Sequence, residues 1–386
     1  MYAYCNINEG RMQEKVQKML IELPTFPATT DVWEILKNEN RPIVIYGMGN
    51  GADKLLCQFE KYGIPYADFF ASDGFVRGHT FHGVRVKTLS EIEELYKDFV
   101  IVLSFASNRE EVLSVFQSID EKYELYIPDM PVARDVYFTK EFYNRNYQKI
   151  CMAYEAFCDD FSRNLFASVL HFKLSGKLSH LLSFTSSKSD IYQLLKEKEI
   201  RQILDGGAYN GDTAREFLVE FSEAERIYAI EPDPKTFKRL LKFTEKYRSE
   251  YPDTHCEICP LNMALSAEDA ELYLNASGNR NTSFNGSSYE HTSVLVPIRK
   301  IDTILAGQPA DFIKLDVEGE EQNALSGAEI TIEKYSPTLL VSLYHASEDI
   351  FSLTLYIKNR FPNYRLYLRR TLCVPAWEID LIALPT

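Results

Sequence analysis

The first half of the chain contains a regular alternation of short apolar runs and longer amphipathic segments. Between Pro42 and Pro131, three apolar runs have the length of strands, and three segments carry apolar residues at helical spacing. The predicted strands are 43–46, 66–71 and 99–104, and the predicted helices are 52–62, 89–96 and 109–119. Because helices separate the strands, we expect a parallel sheet with helical crossovers.

A second alternation starts near residue 200. The predicted strands are 202–205, 226–231, 255–259, 312–316 and 338–343, and the predicted helices are 213–221, 234–247 and 350–361. The last two strands, 364–369 and 378–384, have no helix between them, which predicts an antiparallel pair. A polar segment, 271–301, is flanked by short alternating runs and predicts a β-hairpin insertion. Its tip, 279–283, is a candidate lid over an acceptor.

The remaining segments are predicted to be helical. Residues 12–23 have one apolar face, and residues 135–199 carry aromatic and charged residues at helical spacing without a strand pattern. The sequence therefore predicts an α/β protein in four parts. They are an N-terminal helical segment (1–40), a small Rossmann-like unit (41–134), a helical connector (135–199) and a larger α/β domain (200–386).

Charge and composition narrow the classes of function. The 386 residues include 42 Lys and Arg and 56 Asp and Glu, a formal net charge of −14, which disfavours nucleic acids and anionic membrane surfaces as partners. No apolar run approaches the roughly 18 residues of a membrane span. The N-terminus has no secretory pattern and the seven cysteines are scattered, so we expect a cytoplasmic protein. Two classes of function remain: an enzyme that acts on small neutral or cationic substrates, and a protein-binding module.

No metal site is predicted. The one Cys-x-x-Cys, formed by Cys256 and Cys259, has no second pair of Cys or His residues at a suitable spacing, and a zinc site needs four ligands.

A glycine-containing loop at 205–213 is the strongest candidate for a ligand site. Asp205 ends a predicted strand, Gly207 and Gly211 allow a ligand to approach the backbone, and Thr213 opens a predicted helix. Glu231 ends the next strand twenty residues after Gly211, where a carboxylate can accept hydrogen bonds from both ribose hydroxyls. The pattern is typical of a nucleoside site.

The acid before the loop distinguishes between nucleosides. A dinucleotide fingerprint has no acid in front of its glycines, and a carboxylate suits a cationic group better than a pyrophosphate. S-adenosylmethionine carries a sulfonium and an ammonium and no phosphate. We therefore expect it as the cofactor, with these candidate binding residues: Asp205, Gly207, Ala208, Asn210, Gly211, Thr213, Glu231 and Pro232.

Candidate catalytic residues follow the next strands. Asp316 ends the predicted strand 312–316, Glu318 follows two residues later, and His345 follows the predicted strand 338–343. Ligands of parallel sheets lie at the carboxyl ends of the strands, so these residues and the glycine loop should converge. Transfer of a methyl group to a hydroxyl requires removal of its proton, and all three side chains are candidate bases.

These stretches resemble the FkbM-type S-adenosylmethionine-dependent methyltransferases over about residues 200–385. The resemblance is carried by the loop 204–213, by Glu231-Pro232 and by 313–321, whose Lys-x-Asp-x-Glu-Gly pattern is specific. It implies a class I fold with a seven-stranded Rossmann-like sheet, and O-methylation of a sugar, nucleotide-sugar or other small hydroxylated metabolite. Gly206 and Tyr209 differ from the residues most common in the loop of this family. The difference affects the expected contacts with adenosine and leaves the expected fold unchanged.

A second glycine turn lies in the small N-terminal unit. Gly47, Gly49 and Ala52 form a Gly-x-Gly-x-x-Ala pattern between a strand and a helix, and Asp73 follows about one strand later. The region resembles the small Rossmann-like domains attached to nucleotide-sugar-modifying enzymes. That resemblance implies either a nucleotide or nucleotide-sugar ligand at 47–52 or a scaffold without a ligand.

Two other functions are kept as alternatives. An NAD-dependent oxidoreductase would use the turn at 47–52, with Tyr192 and Lys196 as a Tyr-x-x-x-Lys pair. The other alternative is a non-catalytic interaction protein, that is, a degenerate methyltransferase. The presence of Asp205, Glu231 and Asp316 disfavours it.

Overall fold

The computed structural model describes residues 21–23, 30–76, 78–252, 255–275 and 293–386. The predicted helix at 12–23 lies outside the described residues except for its last three, and the predicted lid at 279–283 lies entirely outside them.

The described residues contain elements over most of the predicted ranges. The strands are β1 Ile43–Tyr46, β2 Asp68–Phe70, β3 Thr80–Phe81, β4 Val84–Arg85, β5 Val100–Leu103, β6 Glu124–Tyr126, β7 Gln202–Gly206, β8 Arg226–Ile230, β9 Glu257–Leu261, β10 Ala264–Leu265, β11 Ala270–Asn275, β12 Ser293–Arg299, β13 Phe312–Leu315, β14 Thr338–Ser342, β15 Tyr364–Arg370 and β16 Ile379–Pro385. The helices are α1 Val32–Lys37, α2 Asn50–Tyr62, α3 Asp73–Val76, α4 Leu89–Leu95, α5 Glu110–Lys122, α6 Lys140–Ala156, α7 Asp160–Ser175, α8 Ser179–Leu182, α9 Lys188–Leu195, α10 Asp212–Glu220, α11 Pro234–Glu250, α12 Ile301–Leu305, α13 Glu321–Ser326, α14 Glu329–Tyr335 and α15 Asp349–Arg360.

The N-terminal alternation forms a four-stranded parallel sheet in the order β2-β1-β5-β6. Its two central strands are completely buried, as continuous apolar runs predict for a sheet covered on both faces. The fourth strand, β6, is three residues long and is missing from the sequence prediction.

The connector consists of helices α6 to α9, in agreement with the helical pattern predicted for it. Helix α7 is buried along most of its length and packs on β15, where the Ser162 hydroxyl accepts a hydrogen bond of 2.8 Å from the Leu368 amide. Arg369 also reaches Asp159, the residue that caps α7, at 2.7 Å. One continuous apolar cluster joins the first sheet, the connector and the second sheet. The connector is therefore part of the core rather than an exposed linker.

The second alternation forms a seven-stranded sheet in the order β15-β16-β14-β13-β7-β8-β9. Strand β16 runs antiparallel to both of its neighbours, as the missing helix predicts. The chain proceeds from β7 to one side through β8 and β9, and returns to the other side of β7 with β13 and β14. Adjacent crossovers therefore diverge between β7 and β13, which is where open α/β sheets bind ligands.

The predicted hairpin insertion is present. Strands β11 and β12 pair antiparallel from Ala270 opposite Ile298 to Asn275 opposite Ser293, and β10 adds a short parallel strand. Met263, Ala264 and Leu265, at the base of this small sheet, reach the edge of the seven-stranded sheet that holds the candidate site.

Candidate active site

The loop after β7 is held between two strands. The amides of Gly207 and Ala208 both donate to the Ile230 carbonyl, at 3.0 and 2.9 Å. Gly207 has φ +82°, and a Cβ on it would lie 1.9 Å from the Asp316 carbonyl oxygen. Glycine is required here because the loop backbone touches the backbone that carries the candidate base.

The loop ends at Gly211, which caps α10 with φ +89°. A Cβ on Gly211 would lie 2.2 Å from the ring of Phe243, so close packing against α11 explains this glycine. Beside it, Ala208 is completely buried and Asn210 is half-buried.

A cavity of about 350 Å³ lies at this edge of the sheet. Four of the predicted cofactor-binding residues line it: Gly207, Thr213, Glu231 and Pro232. The other four, Asp205, Ala208, Asn210 and Gly211, support the wall without lining it. Of the predicted catalytic residues, Asp316 and Glu318 line the cavity, and His345 lies behind them.

Asp205 lies deeper than the sequence suggests. Its carboxylate has no exposed surface, and Oδ1 lies 3.2 Å from Nζ of Lys314. Burial raises the pKa of Asp205, and the Lys314 ammonium opposes that shift. This placement differs from the expectation that Asp205 faces the cationic group of a ligand, because the neighbouring strand supplies the cation.

Lys314 is a residue whose role the sequence prediction missed. Its Nζ donates to the Gly207 carbonyl at 3.3 Å and lies 3.8 Å from Oδ2 of Asp316. Burial lowers the pKa of Lys314, but Asp205 and Asp316 outweigh it, and the net shift is upward. The ammonium therefore stays charged and ties the glycine loop to the candidate base. The signal was available, since Lys314 and Asp316 are two residues apart and so share a face of β13 and its extension.

Glu231 begins the turn after β8 and is buried against it. Its Oε1 accepts a hydrogen bond of 2.8 Å from the Asp233 amide, and Asn262 Nδ2 donates to the carbonyls of Glu231 and Pro232. Burial is the main cause that raises the pKa of Glu231 to about 8. Hydroxyl donors of a ribose would stabilise the ionised carboxylate, so binding of a nucleoside should release a proton near neutral pH.

The candidate catalytic groups form one cluster around His345. Its Nε2 lies 3.3 Å from Oδ1 of Asp316 and 3.8 Å from Oε2 of Glu318, and its Nδ1 lies 2.9 Å from Oε1 of Glu321. The Tyr344 hydroxyl donates to Oδ1 of Asp316 at 3.1 Å. The structure thus brings together the three predicted catalytic residues and adds Tyr344 and Glu321.

Glu321 fixes the loop between β13 and α13. Its Oε1 accepts hydrogen bonds from the amides of Val317, at 2.9 Å, and Gly319, at 3.3 Å. The loop is turned sharply, with Glu318 at φ +56° and Gly319 at φ +97°. A non-glycine residue in this region is strained, and such strain is common at functional sites. Nothing in the sequence pattern distinguishes Glu321 from its neighbour Glu320.

The segment before the connector also holds this loop. The Ala133 amide donates to the His345 carbonyl at 2.8 Å, and Arg134 donates to the Gly319 carbonyl at 3.2 Å while pairing with Glu348 at 2.6 Å. The N-terminal half therefore contributes directly to the geometry of the candidate site.

Electrostatics separates the candidate bases. Burial lowers the pKa of His345, but Glu321, Asp316 and Glu318 outweigh it and raise the pKa to about 10. The pKa of Asp316 is lowered, because Lys314 and His345 outweigh the effect of burial. These directions favour an imidazolium beside a carboxylate at neutral pH, so Asp316 is a better candidate base than His345.

A prediction for stability follows from His345. Its folded-state pKa lies above the ordinary value of 6.5, so its contribution is complete below about pH 6.5 and is lost as the pH rises through about 10. We expect the melting temperature of the wild type to fall over this interval more steeply than that of His345→Gln. Thermal unfolding followed by circular dichroism across this range checks it, and parallel curves would contradict it.

Two further observations concern metal ligands and membrane-crossing helices. Within the part of the chain that the structure describes, no group of three or more His, Cys, Asp or Glu side chains is placed to hold a metal ion. None of the helices in that part is both long and apolar enough to cross a membrane.

In the N-terminal glycine turn, the reason for glycine differs between positions. A Cβ on Gly51 would lie 2.0 Å from the Ser104 carbonyl oxygen, whereas Gly49, at φ +124°, faces open space. The turn borders a cavity of about 250 Å³, lined mostly by apolar residues, into which Pro375 and Trp377 also project. The structure describes the backbone of Asp73 but not its side chain. A nucleotide ligand at 47–52 stays a prediction.

Comparison with known proteins gives a domain and a fold. Residues 205–371 match the model of the methyltransferase FkbM domain, within the range of 200–385 expected from the sequence. The crystal structure of Methyltransferase FkbM from Methylobacillus flagellatus KT is similar with a TM-score of 0.69 and 20% identity, over 92% of this chain and 93% of that chain. This likeness shows a shared fold. A search of curated proteins gives no match.

Two further solved structures match about half of the chain. Precorrin-6y C5,15-methyltransferase from Geobacter metallireducens GS-15 has a TM-score of 0.31 and 10% identity, over 52% of this chain and 93% of that chain. SMU.1697c, a putative methyltransferase from Streptococcus mutans in complex with SAH, has a TM-score of 0.32 and 10% identity, over 51% of this chain and 98% of that chain. These scores are too low to support an argument about this chain.

Proposed function

We propose that the protein is an S-adenosylmethionine-dependent methyltransferase that methylates a hydroxyl of a small molecule. The observation that carries the proposal is the convergence of Gly207, Glu231 and Asp316 on one cavity, inside the segment that matches the methyltransferase FkbM domain. The seven-stranded sheet, with its divergence between β7 and β13, supports assignment to the class I methyltransferase fold.

The residues present fit the cofactor. Glu231 offers a buried carboxyl group to ribose hydroxyls, and Gly207 lines the cavity beside Asp316. Among the described residues, nine acidic side chains and two lysines line the cavity, and this acidic balance suits a sulfonium cation. The acidic residues are Asp212, Glu216, Glu231, Asp233, Asp316, Glu318, Glu320, Glu378 and Asp380, and the lysines are Lys188 and Lys314.

The protein's part in the reaction is positioning and proton transfer. When bound, S-adenosylmethionine supplies an electrophilic methyl group, so the chain must align an acceptor hydroxyl with it and take its proton. Asp316 would accept the proton of the acceptor hydroxyl, and the bound cofactor would supply the methyl group that takes its place. Lys314 and His345 keep Asp316 ionised before the reaction.

The charge of the cavity also bears on the acceptor. Both lysines that line it are already paired, Lys188 with Glu216 and Lys314 with Asp205. Among the described residues that line the cavity, a phosphorylated sugar or a nucleotide-sugar would therefore meet carboxylates and no unpaired lysine. We propose an uncharged or cationic hydroxylated acceptor, and we expect each sugar in a test panel to be methylated at least about tenfold faster than its phosphate ester, a factor that corresponds to 1.4 kcal/mol. Equal rates would contradict this assignment.

Binding measurements test the cofactor against the alternatives. We expect calorimetry to give saturable binding of S-adenosylmethionine and S-adenosylhomocysteine, lost in Glu231→Ala and retained in Gly49→Val. The oxidoreductase alternative predicts NAD binding that Gly49→Val removes. The Tyr-x-x-x-Lys pair that suggested this alternative has a structural role. Tyr192 and Lys196 bond to Glu216 and Glu220 of α10 and so join α9 to α10. Absence of binding of both adenosyl ligands would exclude the proposed function.

A further inference from the structure

Three polar residues lie side by side across three adjacent strands. Leu315, the last residue of β13, pairs with Val341 of β14, which places Asp316 beside Ser342. Ser342 in turn is the cross-strand partner of Asp380 in β16. All three line the cavity. Their order across the sheet is therefore carboxylate, hydroxyl, carboxylate.

Ser342 lies between the two carboxylates and is hydrogen-bonded to Asp380. Its hydroxyl donates to Oδ1 of Asp380 at 3.3 Å, and the strand register places Asp316 on its other side. A serine hydroxyl has one proton and two lone pairs, so it can donate to an ionised carboxylate while it accepts a hydrogen bond from a protonated carboxyl group. Such an arrangement can pass a proton without moving a heavy atom.

The surroundings of the two carboxylates differ. Charged and titratable groups face Asp380 from every neighbouring element. They are Glu378 near its own strand, Lys314 and Asp316 from β13 and its extension, and Tyr344 after β14. Lys188 and Tyr192 of α9 line the same cavity. Burial, with Glu378 and Asp316, raises the pKa of Asp380 to about 7, and Lys314 opposes the shift. Since the pKa of Asp316 is lowered, a proton in this pair is held better by Asp380.

The imidazole side of Asp316 is a poor route for the proton. His345 is buried between Glu321 on one side and Asp316 and Glu318 on the other, and with a pKa near 10 it already carries its second proton at neutral pH. On the other side of Asp316, Ser342 has the Asp380 carboxylate behind it and offers the alternative route.

We propose that Asp380 is the terminal acceptor of the proton released in the methyl transfer, reached from Asp316 through the Ser342 hydroxyl. This inference rests on the proposed function. As the acceptor oxygen becomes an ether, its proton moves to Asp316. Asp316 then gives a proton to Oγ of Ser342 as Ser342 gives its own to Asp380. Asp316 ends ionised, Asp380 ends neutral, and Asp380 later loses the proton to water in the cavity.

The pH dependence of turnover tests the relay. Only ionised Asp380 can receive a proton, so kcat of the wild type should rise with pH up to about 7 and then level, with about a tenfold lower rate one unit below that value. Asp380→Asn should lower the plateau roughly 10–100-fold and remove this acidic limb. The Kd for S-adenosylhomocysteine, which carries no sulfonium, should change less than about twofold, because Asp380 acts on the transferred proton through Ser342.

Variants of the serine separate a relay from a structural role. Ser342→Ala should lower kcat as much as Asp380→Asn, Ser342→Thr should retain most of it, and the double variant Ser342→Ala/Asp380→Asn should be no slower than either single variant. Ser118→Ala, on the exposed face of α5, serves as the matched control. Wild-type kcat in Ser342→Ala, or an unchanged acidic limb in Asp380→Asn, would overturn the relay.

A binding measurement gives a second readout that needs no acceptor. In calorimetry in two buffers of different ionisation enthalpy near pH 7, the wild type should release more protons on binding S-adenosylmethionine than S-adenosylhomocysteine, because the sulfonium favours ionised Asp380. The shared release from Glu231 cancels in the difference. Asp380→Asn should abolish the difference, and persistence of the difference would overturn the assignment. If neither ligand binds the wild type, the proposed function itself fails. If the wild type binds both ligands and turns over, and the Ser342 and Asp380 variants behave like the wild type, only the relay is rejected.

Discussion

Replacement of Asp316 by Asn should lower methyl transfer roughly 10²–10⁴-fold, the range that a positioned general base contributes. The amide keeps the shape and the hydrogen bond from Tyr344 but cannot accept the acceptor's proton. Binding of S-adenosylmethionine should stay within a few fold, since Glu231 and the glycine loop make the proposed contacts. Single-turnover rates and calorimetry on the same preparations measure both quantities.

The control for this variant is Asp98→Asn, which makes the same chemical change on a side chain that is 71% exposed and far from the cavity. Its rate and affinity should equal those of the wild type. If Asp316→Asn loses cofactor affinity in proportion to rate, Asp316 is a cofactor ligand and the proton acceptor must be sought elsewhere.

Gly207→Ala should destabilise the fold and remove cofactor binding. The new Cβ would lie 1.9 Å from the Asp316 carbonyl oxygen, so the loop and β13 must separate, and the tie from Lys314 to the Gly207 carbonyl must lengthen. Overpacking costs about 1–3 kcal/mol, in addition to about 1–2 kcal/mol for a left-handed alanine. Chemical denaturation and calorimetry with S-adenosylhomocysteine measure the two effects.

Gly307→Ala is a matched control, because Gly307 has the same φ of +82° but open space around its Cβ position. It should show the cost of the left-handed conformation alone and leave binding intact. Equal destabilisation by the two variants would mean that close packing on Asp316 does not explain Gly207.

The strand and helix pattern predicted most of the fold for a simple physical reason. Runs such as 43–46 and 100–103 are apolar throughout because both faces of a parallel strand are buried, and that pattern survives in a single sequence. The short elements β6 and β10 were missed because two or three residues carry no periodicity. Their pairing depends on neighbours distant in the chain.

The site was predictable where chemistry follows a strand end, as at Glu231 and Asp316. It was less predictable where function depends on contacts across strands. Asp380 lies in the last strand and joins the site only through its register with Ser342, and Asp205 is buried because Lys314 of the next strand covers it. A pattern along one strand contains neither fact.

Contacts between the two halves were also beyond the sequence. Ala133 and Arg134 precede the connector, yet they bond to the carbonyls of His345 and Gly319. The sequence places these residues near a unit boundary, and only the packing of the connector into the core brings them to the site.

Transfer of a labelled methyl group tests the central claim most directly. The wild type should be incubated with methyl-labelled S-adenosylmethionine and an extract of uncharged and cationic small metabolites, with Asp316→Asn in parallel, and the products separated by mass spectrometry. We expect a product that carries one labelled methyl group with the wild type and none above background with the variant. Unreacted S-adenosylmethionine with no labelled product, or equal labelling by the variant, would contradict the account.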